Sequence, residues 1–287
     1  PPGSQNRVDC GNYIIKQLEG LGLKPQKQVF KDPKEPRLKR PFRNIWVQIE
    51  SDTQNPKKAP ILVIGSHYDS KLCSGHPDQK HNFEFKGAVD GGGSSGLLIE
   101  LARALMDHRS NVPNIWLVWF DGEESLEFDW NKKRSLFGSR HFVKAMAANK
   151  QLFPNGLAKR MKVMVLLDLV GAVDYKIDKD TASNTDLVKI FTAAGQEIGG
   201  GSRMFKTESS IEDDHIPFRT YGVRVIDLID LHYRGPDDDG KPPHPDYAAW
   251  WHTKDDTLDK LSVEGLQFAG DQVWAALPKI EKKYYGR

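Results

Sequence analysis

Cysteine and long apolar runs are both scarce in this sequence of 287 residues. Cys10 and Cys73 are the two cysteines, and this number excludes a disulfide framework or a cysteine-rich metal site. We therefore expect two unpaired thiols. No apolar run approaches the roughly 20 residues that a membrane-spanning helix needs, so we expect no membrane span. The chain begins at Pro1 without an initiator Met, and we expect any leader to have been removed.

An excess of charge of one sign is also missing. The 41 Lys and Arg nearly balance the 39 Asp and Glu, which leaves a formal net charge of +2. The basic residues are scattered apart from a short run near Lys31–Arg43, which is typical of a solvated loop. We expect a monomer that binds no nucleic acid.

Short apolar segments alternate with helical patterns along the chain. Strands are predicted over residues 44–49, 61–65, 114–120, 163–167 and 223–229. Helices are predicted over residues 7–22, over residues 97–106 with Ser94 or Ser95 as the N-cap, and after an N-cap at Ser262. This alternation predicts an α/β fold, with a mostly parallel sheet covered on both faces, in a single domain over residues 1–287.

Polar side chains that can bind a metal follow the predicted strands or precede the last helix. They are His67, Asp90 in a Gly-rich turn, Glu124, Asp168 and His252. Each one alone has an ordinary structural explanation. Several carboxylates that meet at the carboxyl ends of strands would repel one another unless a cation compensated them. Two imidazoles and three carboxylates suit zinc, with one position left for water or substrate.

Two further acids complete this hypothesis. Glu123 precedes Glu124 at a strand end, where neighbouring side chains point in different directions, so we assign Glu124 to the metal and Glu123 to general acid–base catalysis. Asp69 is expected to accept the second imidazole proton of His67 and to fix its tautomer. The long loop of residues 232–247 precedes His252 and is expected to form a rim of the site.

In order and spacing these residues resemble the zinc aminopeptidase superfamily over nearly the whole chain. The resemblance implies a three-layer α/β/α fold around a central, mostly parallel mixed sheet. In the di-zinc aminopeptidases of this superfamily, the matching residues would give His67 and Asp168 to one metal and Glu124 and His252 to the other, with Asp90 as the bridge.

A narrower resemblance is to the glutaminyl-peptide cyclotransferases, also called glutaminyl cyclases. The segments that carry it are residues 120–124, Trp130, and residues 135–141, 166–172, 213–218 and 251–253. Asp213 discriminates best, because aminopeptidases of the superfamily usually have Ser there. These acyltransferases use one zinc to convert the N-terminal glutamine of a peptide to pyroglutamate, with release of ammonia.

The cyclase resemblance implies a role for each matching residue. One zinc would polarise the γ-amide carbonyl of the substrate from three ligands, Asp90, Glu124 and His252. Glu123 would move a proton from the α-amine to the departing ammonia. Asp168 and Asp213 would form a hydrogen-bonded acid pair that supports Glu123. The expected substrate-binding residues are Trp130, Trp251 and Glu212.

The sequence departs from the animal cyclases at several of these positions. Glu212 replaces a glutamine, and Asp227 replaces a histidine. Ser66 and Ser95 stand where those enzymes have a disulfide. These changes favour a bacterial relative, and the resemblance suggests a secreted or periplasmic protein.

The sequence leaves two alternatives to a cyclase. A di-zinc aminopeptidase would bind a second zinc through His67 and Asp168 and would release free amino acids. A non-catalytic interaction domain on the same fold is disfavoured, because every ligand position is filled.

Overall fold

A computed structural model describes residues 1–53, 55–108, 112–173, 175–231, 248 and 250–286. Its helices are α1 (Gln5–Gly20), α2 (Ser94–His108), α3 (Phe137–Ala148), α4 (Leu157–Arg160), α5 (Thr185–Glu197), α6 (His215–Thr220) and α7 (Val263–Tyr284). Its strands are β1 (Gln26–Phe30), β2 (Phe42–Ile49), β3 (Ile61–His67), β4 (Asn114–Phe120), β5 (Met161–Asp168), β6 (Ile177–Asp180), β7 (Met204–Ser209) and β8 (Arg224–Ile229).

Six of these strands form one mixed sheet in the order β1-β2-β4-β3-β5-β8. The pairs β1–β2 and β2–β4 are antiparallel, whereas β4, β3, β5 and β8 run parallel to one another. In the register, His67 lies opposite Phe120, and Asp168 lies opposite Ile229. The carboxyl ends of β3, β4, β5 and β8 therefore meet at one edge of the sheet.

The central strands bury both of their faces, because alternate side chains enter two different cores. One core receives Leu62 and Ile64 of β3 together with side chains from α1, α2, α5 and α7. The other receives Ile61 and Val63 of β3 together with side chains from α3, α4 and α6. Helices thus cover both faces of the sheet, and the predicted three-layer α/β/α class is confirmed.

The N-terminus of α7 matches its prediction, because Ser262 Oγ accepts a hydrogen bond from the N–H of Gly265 at 2.8 Å. The predicted cap of α2 is wrong. Ser94 and Ser95 lie inside α2, which continues directly from a kinked turn over Ala88–Gly93. Ser95 instead donates to the carbonyl of His67 at 2.7 Å, so its hydroxyl joins α2 to the end of β3.

Several elements were not predicted from the sequence. β1 is the antiparallel edge strand, and β6 and β7 form a separate parallel pair. The expected rim loop, residues 232–247, lies outside the described residues. Both cysteines are free, as expected, and no described helix is long and apolar enough to span a bilayer. The single domain over residues 1–287 stays a prediction.

A buried ion pair fixes α1 to the segment after β4. The guanidinium of Arg7 contacts Asp121 Oδ2 and donates to the carbonyl of Pro41 at 2.9 Å. The same carboxylate oxygen accepts from the N–H of Arg43 at 2.6 Å and from the hydroxyl of Tyr68 at 3.2 Å. Asp121 is therefore a junction of α1, β2 and the end of β3, and it holds the start of the segment that carries Glu123.

Replacement of Arg7 tests this junction. Arg7→Met should lower the free energy of unfolding by about 3–5 kcal/mol, because it leaves the buried Asp121 without its cation. Chemical denaturation followed by circular dichroism measures the change. The control is Arg103→Met, which removes an exposed pair with Glu100 and should cost less than about 1 kcal/mol. Equal stabilities of the two variants would contradict the assigned role of Arg7.

Candidate active site

Each predicted metal ligand reaches the site from a different element at the carboxyl edge of the sheet. His67 and Asp168 are the last residues of β3 and β5, and Glu124 lies four residues after the end of β4. Asp90 lies in the kinked turn before α2. His252 precedes α7 in the chain. The fold therefore brings together five side chains that are up to 185 residues apart in the sequence.

These five residues form two groups that share Asp90. In the first group, His67 Nε2 lies 3.2 Å from Asp90 Oδ1 and 3.0 Å from Asp168 Oδ1. In the second group, His252 Nε2 lies 3.3 Å from both Asp90 Oδ2 and Glu124 Oε1. The two oxygens of Asp90 thus face different groups.

The second group fits a zinc ion by its chemistry. Asp90 Oδ2 and Glu124 Oε1 are buried and have no hydrogen-bond partner among the described residues. Buried carboxylate oxygens carry a high free-energy cost unless a donor or a cation satisfies them. An imidazole nitrogen and two carboxylate oxygens that point at one place are typical zinc ligands.

Local backbone geometry places two of these ligands. His252 has a left-handed φ of 51°, which is uncommon for a non-glycine residue and is typical of functional sites. Gly91, directly after Asp90, has a φ of 87°. A Cβ atom at Gly91 would lie 2.8 Å from His67 Cε1. The turn can therefore approach the imidazole only because this residue is glycine.

The role predicted for Asp69 needs a correction. His67 Nδ1 lies 3.1 Å from the backbone carbonyl of Asp69, whereas the nearest carboxylate oxygen lies 3.7 Å away. The carboxylate instead accepts the backbone N–H groups of Glu123 at 3.0 Å and Glu124 at 3.4 Å. The Asp69 side chain thus fixes the acidic turn, and the backbone carbonyl of Asp69 is the group that contacts His67.

Two serines join β3 to α2 at the positions where the animal cyclases have a disulfide. The hydroxyls of Ser66 and Ser95 both donate to the carbonyl of His67, at 3.1 and 2.7 Å. Two hydrogen bonds to the residue at the strand end thus stand where the resemblance places a disulfide in animal cyclases. They fix the backbone of His67 without any cysteine.

Charged neighbours shift the pKa values of the histidines and carboxylates of the ligand groups. Burial alone would lower the pKa of His252, but Glu124 and Asp90 raise it to about 9. Burial opposes the ionisation of Asp90, yet His252 and His67 hold the pKa of Asp90 below its ordinary value. The histidines and Asp90 therefore stabilise one another's charged forms.

The pKa values of Glu123 and Asp213 are raised, in the opposite direction to the pKa of Asp90. Burial raises the pKa of Glu123 well above its ordinary value, and Glu124 adds to the shift while His67 opposes it. Burial, Asp168 and other nearby acids raise the pKa of Asp213 in the same way. Both are acids that hold a proton readily, as a proton-transfer site requires. Asp213 Oδ2 is buried without a hydrogen-bond partner among the described residues, and the predicted Asp168–Asp213 hydrogen bond stays a prediction.

The predicted substrate-binding residues surround an open cavity of about 600 Å³. Trp251 stacks on the ring of His252 with centroids 3.9 Å apart. Trp130 is 38% exposed, and its Nε1 donates to Glu212 at 3.1 Å. The lining includes all of the acids and aromatic residues assigned to catalysis or substrate: Glu123, Trp130, Asp168, Glu212, Asp213 and Trp251.

Two supporting residues were missed in the sequence. Asp256 accepts the backbone N–H groups of Val89 at 2.7 Å and Asp90 at 3.1 Å, so it fixes the turn of the shared ligand. His215 is fully buried between Asp180 Oδ2 at 3.2 Å and Asp227 Oδ2 at 3.5 Å, two residues after Asp213. The closeness of Asp256 to His252 was the one available signal. Nothing in the sequence indicated the partners of His215.

Comparison with known proteins identifies the class that this fold and site define. The model of peptidase family M28 matches residues 44–277, most of the chain and every residue assigned to the site. The Zn-dependent exopeptidase from Parabacteroides distasonis has the same fold, with a TM-score of 0.75 at 24% identity over 96% of this chain and 91% of that one.

Two glutaminyl cyclases are more similar to this chain than that exopeptidase is. A glutaminyl-peptide cyclotransferase of Drosophila melanogaster is 30% identical over 291 residues, which cover 92% of this chain and 73% of that protein. The crystal structure of an Acidobacteriales bacterium glutaminyl cyclase aligns with a TM-score of 0.81 at 28% identity, over 98% of this chain and 88% of that one. The chain belongs to the glutaminyl-peptide cyclotransferases of peptidase family M28, a family of zinc-dependent enzymes.

The acidic turn gives a prediction for Asp69. Asp69→Asn should lower the free energy of unfolding by about 1–3 kcal/mol, because an amide has one acceptor oxygen for two buried N–H groups. The contact to His67 should survive, since the backbone carbonyl makes it. Thermal or chemical denaturation measures the loss. Asp271→Asn on the exposed face of α7 is the matched control, and an equally small effect in both variants would contradict the role of the Asp69 carboxylate.

Proposed function

We propose that this enzyme converts the N-terminal glutamine of peptides to pyroglutamate and releases ammonia. The observation that carries the proposal is the position of Glu123. This buried acid with a raised pKa lies on the wall of the cavity, beside the group of Asp90, Glu124 and His252. A proton carrier beside three metal ligands in a pocket with tryptophan walls suits intramolecular attack on an amide.

One zinc ion held by Asp90, Glu124 and His252 would supply Lewis-acid polarisation of the γ-amide carbonyl. The protein side chains account for the rest of the chemistry. The α-amine nitrogen forms a bond to the γ-carbonyl carbon, and the bond from that carbon to the amide nitrogen breaks. Glu123 takes the proton that the α-amine loses and returns it to the departing nitrogen, which leaves as ammonia.

Asp168 and Asp213 support this proton transfer. Asp168 contributes to the raised pKa of both Glu123 and Asp213, as expected for acids that are close together and buried. In our proposal, Asp168 and Asp213 share one proton, so that the cluster does not accumulate repelling charges next to Glu123.

The cavity suits a small polar side chain attached to a longer peptide. Trp251 and Trp130 provide flat apolar walls, and Glu212 lies at the exposed side, where it also pairs with Lys132 at 3.1 Å. We place the glutamine side chain against the tryptophans and the remainder of the peptide towards the open face. In this proposal the substrate is a peptide or protein N-terminus, and the enzyme is a monomer, without nucleic acid, in a secreted or periplasmic location.

A di-zinc aminopeptidase is the second candidate, and one observation favours it. The group of His67, Asp90 and Asp168 also holds three ligand atoms close together. Asp213 supports the cyclase with a single zinc, because in our proposal Asp168 pairs with Asp213 and not with a second metal. The two candidates predict different products, so an assay separates them.

The products formed from two dipeptides test the proposed reaction. The zinc-loaded protein should remove one ammonia (about 17 Da) from Gln-Ala and leave Leu-Ala intact, because only the former has a γ-amide within reach of its α-amine. Mass spectrometry detects both results, and a chelator should abolish the conversion. Free leucine from Leu-Ala would establish an aminopeptidase instead.

Replacement of Glu123 tests its proposed role as the proton carrier. Glu123→Gln should retain zinc and fold but lower kcat on Gln-Ala by roughly 10²–10⁴-fold, because the amide cannot carry the proton. Glu127→Gln, in the same loop but outside the cavity lining, should keep near-normal kcat. Unchanged turnover of Glu123→Gln, with zinc content verified, would remove Glu123 from the mechanism.

A further inference from the structure

One buried cation beside the proposed zinc ligands has no part in the chemistry above. Lys71 is 1% exposed, and among the described residues it and Arg7 are the lysine and arginine side chains that are buried. Arg7 pairs with Asp121, which is not one of the proposed ligands. Lys71 Nζ lies 3.4 Å from Glu124 Oε2 and donates to the carbonyl of Ser125 at 3.3 Å. A buried ammonium is costly unless it is paired, so this position depends on its partner.

That partner is a proposed metal ligand, and its two oxygens face different groups. Glu124 Oε1 lies 3.3 Å from His252 Nε2, inside the ligand group. Glu124 Oε2 faces Lys71. We propose that Lys71 is a positioning residue that engages Oε2 and so makes Glu124 a one-oxygen ligand of the zinc. The inference rests on the zinc site of the proposed function.

A one-oxygen ligand leaves room for the substrate. Asp90, His252 and one oxygen of Glu124 would fill three of the four positions that zinc commonly uses, and the fourth would stay open for the γ-carbonyl. A second oxygen from Glu124 would compete for that position. The ammonium of Lys71 also draws negative charge away from the zinc side of the carboxylate, which leaves the cation a stronger Lewis acid.

Loss of Lys71 therefore has two opposite consequences. A bound dication would no longer be repelled by a nearby ammonium, and Glu124 would be free to bind through both oxygens. Zinc affinity should rise for both reasons. Turnover should fall, because the second oxygen of Glu124 would compete with the substrate for the open zinc position and the zinc would be a weaker Lewis acid. A lysine that only filled space or stabilised the fold would not produce tighter zinc binding together with slower turnover.

The test compares Lys71→Met with Lys80→Met. Methionine is uncharged and of similar length, and Lys80 is an exposed lysine in the same connection after β3. Competition with a chromophoric chelator gives the zinc dissociation constant, and visible absorption of the cobalt-substituted protein reports the coordination number. We expect Lys71→Met to bind zinc roughly tenfold more tightly, which corresponds to about 1.4 kcal/mol. Its cobalt absorption should weaken, and its kcat on Gln-Ala should fall, with no change in Lys80→Met.

Zinc-edge X-ray absorption of the wild-type enzyme provides a test that needs no variant to fold. It should show a four-coordinate ion, whereas a five-coordinate ion with both oxygens of Glu124 bound would overturn the inference. An unchanged zinc affinity and cobalt spectrum in folded Lys71→Met would also overturn it. A wild-type protein that binds no zinc would instead defeat the proposed function, so the two failures are distinguishable.

Discussion

The mutual repulsion of buried carboxylates is the constraint on which the rest of this site depends. The carboxyl edge of the sheet and the adjacent turns gather many buried acids, among them Asp90, Glu123, Glu124, Asp168 and Asp213. Ionised together and unpaired, these groups would destabilise the fold. The structure shows two forms of compensation. Basic side chains, those of His67, His252 and Lys71, contact Asp90, Glu124 and Asp168. Glu123 and Asp213, which have fewer such contacts, have raised pKa values.

This division separates the roles of chemically identical side chains. The histidines hold Asp90 in its ionised form, which is the form that binds a metal. Glu123 lies against the same group but holds a proton more readily, which suits proton transfer. The positions of these side chains depend on the backbone turns that carry them. The carboxylates of Asp69 and Asp256 accept hydrogen bonds from backbone N–H groups of the two turns that carry Glu124 and Asp90, so two buried acids outside the ligand set fix the turns that hold the proposed ligands.

The fold alone does not select the reaction. A Zn-dependent exopeptidase and glutaminyl cyclases share it, and the ligand arrangement here has room for either one metal or two. In our proposal, the two chemistries differ in which group faces Asp168 and in how many coordination positions of the metal stay open. We assign the first difference to Asp213 and the second to Lys71, and neither residue belongs to the proposed ligand set.

Short sequence patterns were enough to predict many elements of this fold. The buried strands β3, β4, β5 and β8, the capped helix α7 and the ligand types followed from apolar periodicity, a serine before a helix and acids after strands, all of which operate over a few residues. Tertiary structure alone decided the antiparallel edge, the separate β6–β7 pair, the kinked turn before α2 and the burial of Lys71. A lysine is normally solvated, and strand partners lie far apart in the chain. Their positions depend on packing between distant segments, which no short stretch of sequence specifies.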